Sequence, residues 1–131
     1  WERVRLMREI LFRGKLINKS ECASSWIEGF YTKSPSGRTR ILTTYNASPI
    51  EVIPESVGQF TGLIDKNGKK IFEGDIVECF RNGLSYVAYR TGCFGLIYDY
   101  TFINFHDVHG EMIVIGNIFD HPHLLKEGVT L

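Results

Sequence analysis

The chain has 131 residues and a mass of 15.0 kDa, so one compact domain, or two small subdomains sharing a core, can bury roughly two thirds of the unfolded surface. Fifteen Lys and Arg balance 15 Asp and Glu, and 44% of residues are hydrophobic, which excludes wholesale disorder and any role resting on a large overall charge. The zero is a cancellation: residues 1–70 hold twelve cations and seven anions, a net +5, and residues 71–131 hold three and eight, a net −5.

Trp1 is not a translation start, whereas Met7 opens a coherent segment; residues 1–6 are set aside as appended or upstream residues. Beyond them no long stretch has helical periodicity. Short β-branched and aromatic clusters alternate with Gly, Pro, Asn and Asp, which reads as a mainly β, β-rich α+β chain. The first clusters fall at 10–17, 26–31, 39–44 and 50–53, with Pro35-Ser36-Gly37 as a hairpin turn between the second and third. Pro54 starts one helical turn at most, which Gly58 stops. These elements form an N-terminal β-rich subdomain, residues 1–60.

A second unit, residues 61–131, is punctuated more regularly. Asp65-Lys66-Asn67-Gly68 predicts a tight turn between 63–64 and 71–72. Further bends at Glu73-Gly74-Asp75, Asn82-Gly83, Thr91-Gly92 and His109-Gly110 separate strands at 76–80, 86–90, 94–100 and 112–119. Strands this short and closely turned suggest a small SH3-like barrel, with an open Greek-key barrel as the alternative. A terminal helical turn begins at Pro122, with His121 before it as cap, and Leu124 and Leu125 are expected to plug an open end of the barrel.

The cysteines Cys22, Cys79 and Cys93 are odd in number and contain no Cys-x-x-Cys pair, so a reducing, cytoplasmic setting fits better than a disulfide framework. No apolar run approaches a bilayer span, and the apolar residues 10–12 behind Arg3, Arg5 and Arg8 are too few for a signal peptide. No membrane partner is expected.

Candidate chemistry is sparse. His106, His109, His121 and His123 lie near Asp99, Asp107 and Asp120, but their spacing reproduces no zinc motif and they read as rim histidines. Cys93 with His106 or His109 carries no thiol-enzyme signature, and Cys79 reads as a packed strand residue. Gly58, Gly62, Gly68 and Gly74 lack the phosphate-loop spacing and read as turn glycines; Asp75 reads as a turn acceptor. No catalytic, metal or cofactor set is expected. The surplus cations Arg8, Arg13, Lys15, Lys33, Arg38 and Arg40 interleave with Phe12, Trp26, Phe30, Tyr31 and Tyr45, a pattern compatible with single-stranded nucleic acid or with a fringed core. Tyr86, Tyr89, Tyr98 and Tyr100 are candidate protein-partner surface, or equally candidate core.

Three ordered blocks resemble the YopX family of phage and prophage proteins. They are 7–15 with Trp26-Ile27-Glu28-Gly29-Phe30-Tyr31; the central run 52–77, including Gly58-Gln59-Phe60-Thr61-Gly62-Leu63 and Ile71-Phe72-Glu73-Gly74-Asp75-Ile76-Val77; and Val114-Ile115-Gly116-Asn117-Ile118-Phe119 followed by Pro122 and Leu124-Leu125. The chain departs from the family at His121, where a small polar residue is usual; 81–111 matches nothing nameable. The resemblance implies a β fold with an SH3-like C-terminal barrel, encoded by a mobile element in a bacterial cell, and no established reaction. The expected role is a non-enzymatic accessory protein binding a protein partner or itself, a basic half facing an acidic half. The alternatives are a nucleic-acid-associated regulator using the N-terminal half and an unrecognised enzyme.

Overall fold

The computed structural model describes residues 9–17, 25–43, 48–79, 83–108 and 110–128. Arg8, Cys22, Tyr45, Asn82 and His109, named above, lie outside these residues.

Eleven strands among the described residues form two antiparallel sheets. The first is ordered β4-β3-β2-β1-β5-β6, from β1 (Phe12–Lys15), β2 (Trp26–Lys33), β3 (Thr39–Leu42), β4 (Ile50–Glu51), β5 (Gly58–Ile64) and β6 (Lys70–Phe72). The second is ordered β10-β9-β8-β7-β11, from β7 (Asp75–Cys79), β8 (Gly83–Arg90), β9 (Cys93–Tyr98), β10 (Thr101–Asn104) and β11 (Met112–Asn117). Helix α1 (Pro122–Gly128) follows, and no helix among the described residues is long and apolar enough to cross a membrane.

The mainly β expectation holds. In the second sheet the last strand returns, after a 3-10 turn at Phe105–Asp107, to pair with the first strand of the meander, an order compatible with an SH3-like unit. Its edge strands β10 and β11 do not pair with each other, so the expected barrel is an open sheet. The sheets divide at Glu73-Gly74: β5 runs from Gly58 to Ile64 across the expected boundary at 60/61, and residues 61–72, expected in the C-terminal unit, continue the first sheet through β5 and β6, Phe72 opposite Phe60.

Local sequence accounts for much of this. Gly37 (φ 89°) closes the β2–β3 hairpin with Ser34 and Arg38 hydrogen-bonded across it. At the next hairpin the Asp65 carboxylate accepts the amides of Asn67 and Lys69, both at 2.8 Å, and reaches across to the Val114 amide at 3.0 Å. Burial alone would raise the Asp65 pKa, but these three amides hold it below its ordinary value. The same turn donates the Lys66 amide to the Met112 carbonyl, so it covers the edge of β11 and ties the sheets together.

The 94–100 strand needs correction. The chain turns at Asp99-Tyr100, with φ of 49° and 64°, and separates β9 from β10. That turn was not legible because it contains no glycine; a tyrosine at positive φ is uncommon and held only by the ladders on either side.

Apolar faces meet in connected clusters. Leu16, Ile27, Ile41 and Val52 fill the first sheet; Val77, Cys79, Val87 and Leu96 fill the second and take in Ile71 from β6. Burial pushes the Cys79 thiol pKa up, as for a packed thiol. Ile76, adjacent to Val77 and therefore on the other face of β7, packs with Leu84, Tyr86, Tyr98, Leu124 and Leu125. Helix α1 thus covers a sheet face and does not plug a barrel end. His121 also differs from its expected capping role: its Nδ1 accepts the Asn117 amide at 3.2 Å, turned back towards β11.

Candidate binding cleft between the sheets

The sheets meet along a polar seam built on β1. Arg13 and Lys15 are two apart and share a strand face; with Trp26, opposite Lys15 on β2, they point at the C-terminal half. Arg13 Nη2 lies 2.7 Å from Asp75 Oδ1, with only 12% and 1% of the two side chains exposed. The other Asp75 oxygen accepts the Phe72 amide at 2.8 Å, so Asp75 does fix the strand entry as a turn acceptor while neutralising a cation from the other sheet. The guanidinium also sits over two rings, 4.9 Å from Trp26 and 5.0 Å from Phe72. Burial pushes the Asp75 pKa up, against the opposing pull of Arg13 and the Phe72 amide.

One step along β1, Lys15 pairs with Asp120. Asp120 Oδ2 also accepts Trp26 Nε1 at 2.8 Å and Asn117 Nδ2 at 3.3 Å. Asn117 Oδ1 in turn accepts the amides of Phe119 and Asp120, which shapes the turn after β11. Burial alone would raise the Asp120 pKa; the hydrogen bonds from Lys15, Trp26 and Asn117 outweigh it and hold the carboxyl at about 2, down from 3.8. Phe119 meets Trp26 edge to face at 6.2 Å.

Above this seam opens a cleft of about 230 Å³. Its walls come from Glu55-Ser56-Val57 after β4, the Glu73-Gly74 turn, 86–89 of β8 and 117–119. Gly74 (φ 92°) anchors it: its amide donates to Val87 and its carbonyl accepts from Ile118, at 2.9 and 2.8 Å. A second open groove of about 460 Å³ runs past Gln59, Leu63, Phe94 and Phe105, and Tyr89 borders both.

The residues singled out from sequence are thus dispersed. Arg13 and Lys15 lie in the seam, each paired with a carboxylate of its own chain. Arg38 is exposed beside Glu51 at 3.4 Å. Arg40 lies on β3, on the sheet face it shares with the exposed Phe30, and its Nε is buried without a hydrogen bond. Tyr89 lines the cleft; Tyr86 borders it but packs, like Tyr98, beside Ile76, and Tyr100 projects from its turn.

The Cys93 thiol donates to the Arg90 carbonyl and accepts from Asn104 Nδ2, with no imidazole as partner among the described residues. The rings of His121 and His123 are 6.1 Å apart, and among the described residues no three His, Cys, Asp or Glu side chains form a metal-holding group. Gly68 and Gly74 are turn glycines of positive φ; Gly62 and Gly58 instead lie in β5, Gly62 at positive φ in the irregularity between Phe60 and Ile64 and Gly58 where a Cβ would strike the Glu73 carbonyl oxygen.

Sequence reasoning placed Asp120 only beside the late histidines and missed its pairing with Lys15 and Trp26, as well as the place of Glu55 and Glu73 in the cleft lining. Alternate cations at 13 and 15 inside an apolar strand signal buried partners, because an unpaired cation there is unfavourable; nothing local names the carboxylates, which lie 62 and 105 residues away.

No curated protein matches the chain. Residues 12–126 match the family described as YopX protein, so the seam and both walls of the cleft lie inside the matched region, and the chain belongs to the YopX family.

Proposed function

We propose that this chain is a phage- or prophage-encoded accessory protein of the bacterial cytoplasm that acts as a non-enzymatic binding or assembly module, with the inter-sheet cleft as its contact surface. One observation carries this reading. The cleft stands open between two sheets while the ionised groups beneath it, Arg13 with Asp75 and Lys15 with Asp120, are locked in pairs. Such a floor keeps its shape and leaves the lining side chains to make contacts. The opposite charges of the two halves are partly spent inside the chain, through these pairs and through Lys66 with Glu111, which favours a distinct partner over head-to-tail stacking of copies.

A photo-crosslinking amino acid at Tyr89, with Lys33 as a distant control, tests the reading in bacteria that express the chain. The expected result is a discrete protein adduct at position 89 and none at 33. A nucleic-acid adduct, or no adduct at 89, overturns it. The nucleic-acid alternative retains a smaller footprint, Arg38 and Arg40 with exposed Phe30. It requires binding to single strands at low salt that falls steeply as salt rises.

A further inference from the structure

The mouth of the cleft holds more negative charge than its own side chains neutralise. Glu55 is exposed and makes no hydrogen bond or ion pair among the described residues. The Glu73 carboxylate takes a single long hydrogen bond, 3.4 Å from the Gln59 amide. Arg13, the cation of the lining, is spent on Asp75, and nearby Lys15 on Asp120. The floor is therefore neutral and the mouth carries two carboxylates in excess. Tyr89 and Phe119 also line the cleft, and the faces of aromatic rings attract cations. The floor already displays the same chemistry: a guanidinium lying on Trp26 and Phe72 while paired with a carboxylate. A phosphate or acidic side chain entering here meets like charge, which disfavours it.

We propose that the cleft receives a basic side chain, arginine in preference to lysine, presented by an extended segment of a protein partner. Glu73 and Glu55 pair with its charge and the ring-bearing wall packs along its stem. This deepens the binding-module reading and rests on it. The space of about 230 Å³ falls below the ~300–1,000 Å³ of drug-sized ligand sites and suits one long side chain. Arginine is favoured because its planar, weakly hydrated guanidinium stacks on rings and matches a carboxylate with two parallel donors.

The test is an NMR titration of the intact chain with a capped Ala-Ala-Arg-Ala-Ala peptide and its citrulline counterpart, which keeps the shape and removes the charge. The arginine peptide is expected to shift the Gly74, Val87 and Ile118 amides saturably, and more weakly as salt rises. Glu73→Gln, which keeps the acceptor for the Gln59 amide, should weaken binding about fivefold or more, with a smaller loss in Glu55→Gln, as for partly exposed charge pairs. Tyr89→Ala should weaken it independently. Equal response to citrulline, indifference to Glu73→Gln, or no shift at the cleft amides overturns the proposal. Protein crosslinks at position 89 that persist despite such a result leave the module reading standing alone; if those crosslinks are absent too, both fail.

Discussion

Neutralising one partner of the buried Arg13–Asp75 pair should destabilise the fold more than most single changes elsewhere. The carboxylate is 1% exposed and the guanidinium 12%; Asp75→Asn therefore leaves a buried cation without its counter-charge, and Arg13→Met leaves a buried anion. Removing one partner of such a pair typically costs about 3–5 kcal/mol. With an unfolding entropy of about 2.1 cal/mol/K per residue, the 131-residue chain loses roughly 11–18 °C in Tm. The double variant Arg13→Met, Asp75→Asn keeps an acceptor for the Phe72 amide and buries no charge, so it should recover most of the loss, to within about 1–2 kcal/mol of the parent. Urea melts followed by far-UV circular dichroism give the four free energies of the cycle. The Arg13→Met deficit should also shrink in acid. The folded Asp75 pKa is already raised by burial and rises further without Arg13; a carboxyl raised above its unfolded value gains relative stability as pH falls through the folded pKa. Single-variant losses under about 1 kcal/mol, or losses that simply add in the double variant, would refute the account of the seam.

Asp120, held at about 2 in the folded chain against 3.8 ordinarily, contributes stability that is present above its unfolded pKa and lost as pH falls through about 2, on the order of 1–2 kcal/mol after allowing for partial exposure; comparing parent and Asp120→Asn melts at pH 5 and pH 2.5 should show the difference shrink to roughly a third in acid. Asp65→Ala removes the acceptor of the Asn67, Lys69 and Val114 amides and should cost about 2–3 kcal/mol, with faster hydrogen exchange at those three amides before any global change. Unchanged protection at Val114 would mean that the hairpin turn does not hold β11.

How much was legible varies with the range of the interaction. The turns at Ser34–Arg38 and Asp65–Gly68 could be read because Gly37 and Gly68 supply positive φ and Asp65 bonds amides two and four residues on. The Asp99-Tyr100 turn was hidden because its residues carry no turn signal strong enough to break an apolar run. The boundary near residue 60 followed the change in punctuation, whereas the single strand β5 runs through it from Gly58 to Ile64 and joins β1 on one side to β6 on the other, an arrangement no local window contains. Tyr86, Tyr89, Tyr98 and Tyr100 could be read as surface or as core, and the structure divides them: Tyr89 and Tyr100 are exposed, whereas Tyr86 and Tyr98 pack beside Ile76.

The sequence by itself determined the β character, the main turns, the family and the division of charge into a positive half and a negative half, because each rests on residue type and short-range spacing. Only the tertiary structure decided where those charges go. Arg13 and Lys15 could be read as contacts for a nucleic acid or as the fringe of a core, and the fold turns them onto Asp75 and Asp120, leaving Glu55 and Glu73 as the unmatched charges of the cleft lining among the described residues. The physical reason is that alternation along a strand fixes which residues share a face, but the face opposite is set by sheet packing across the whole chain.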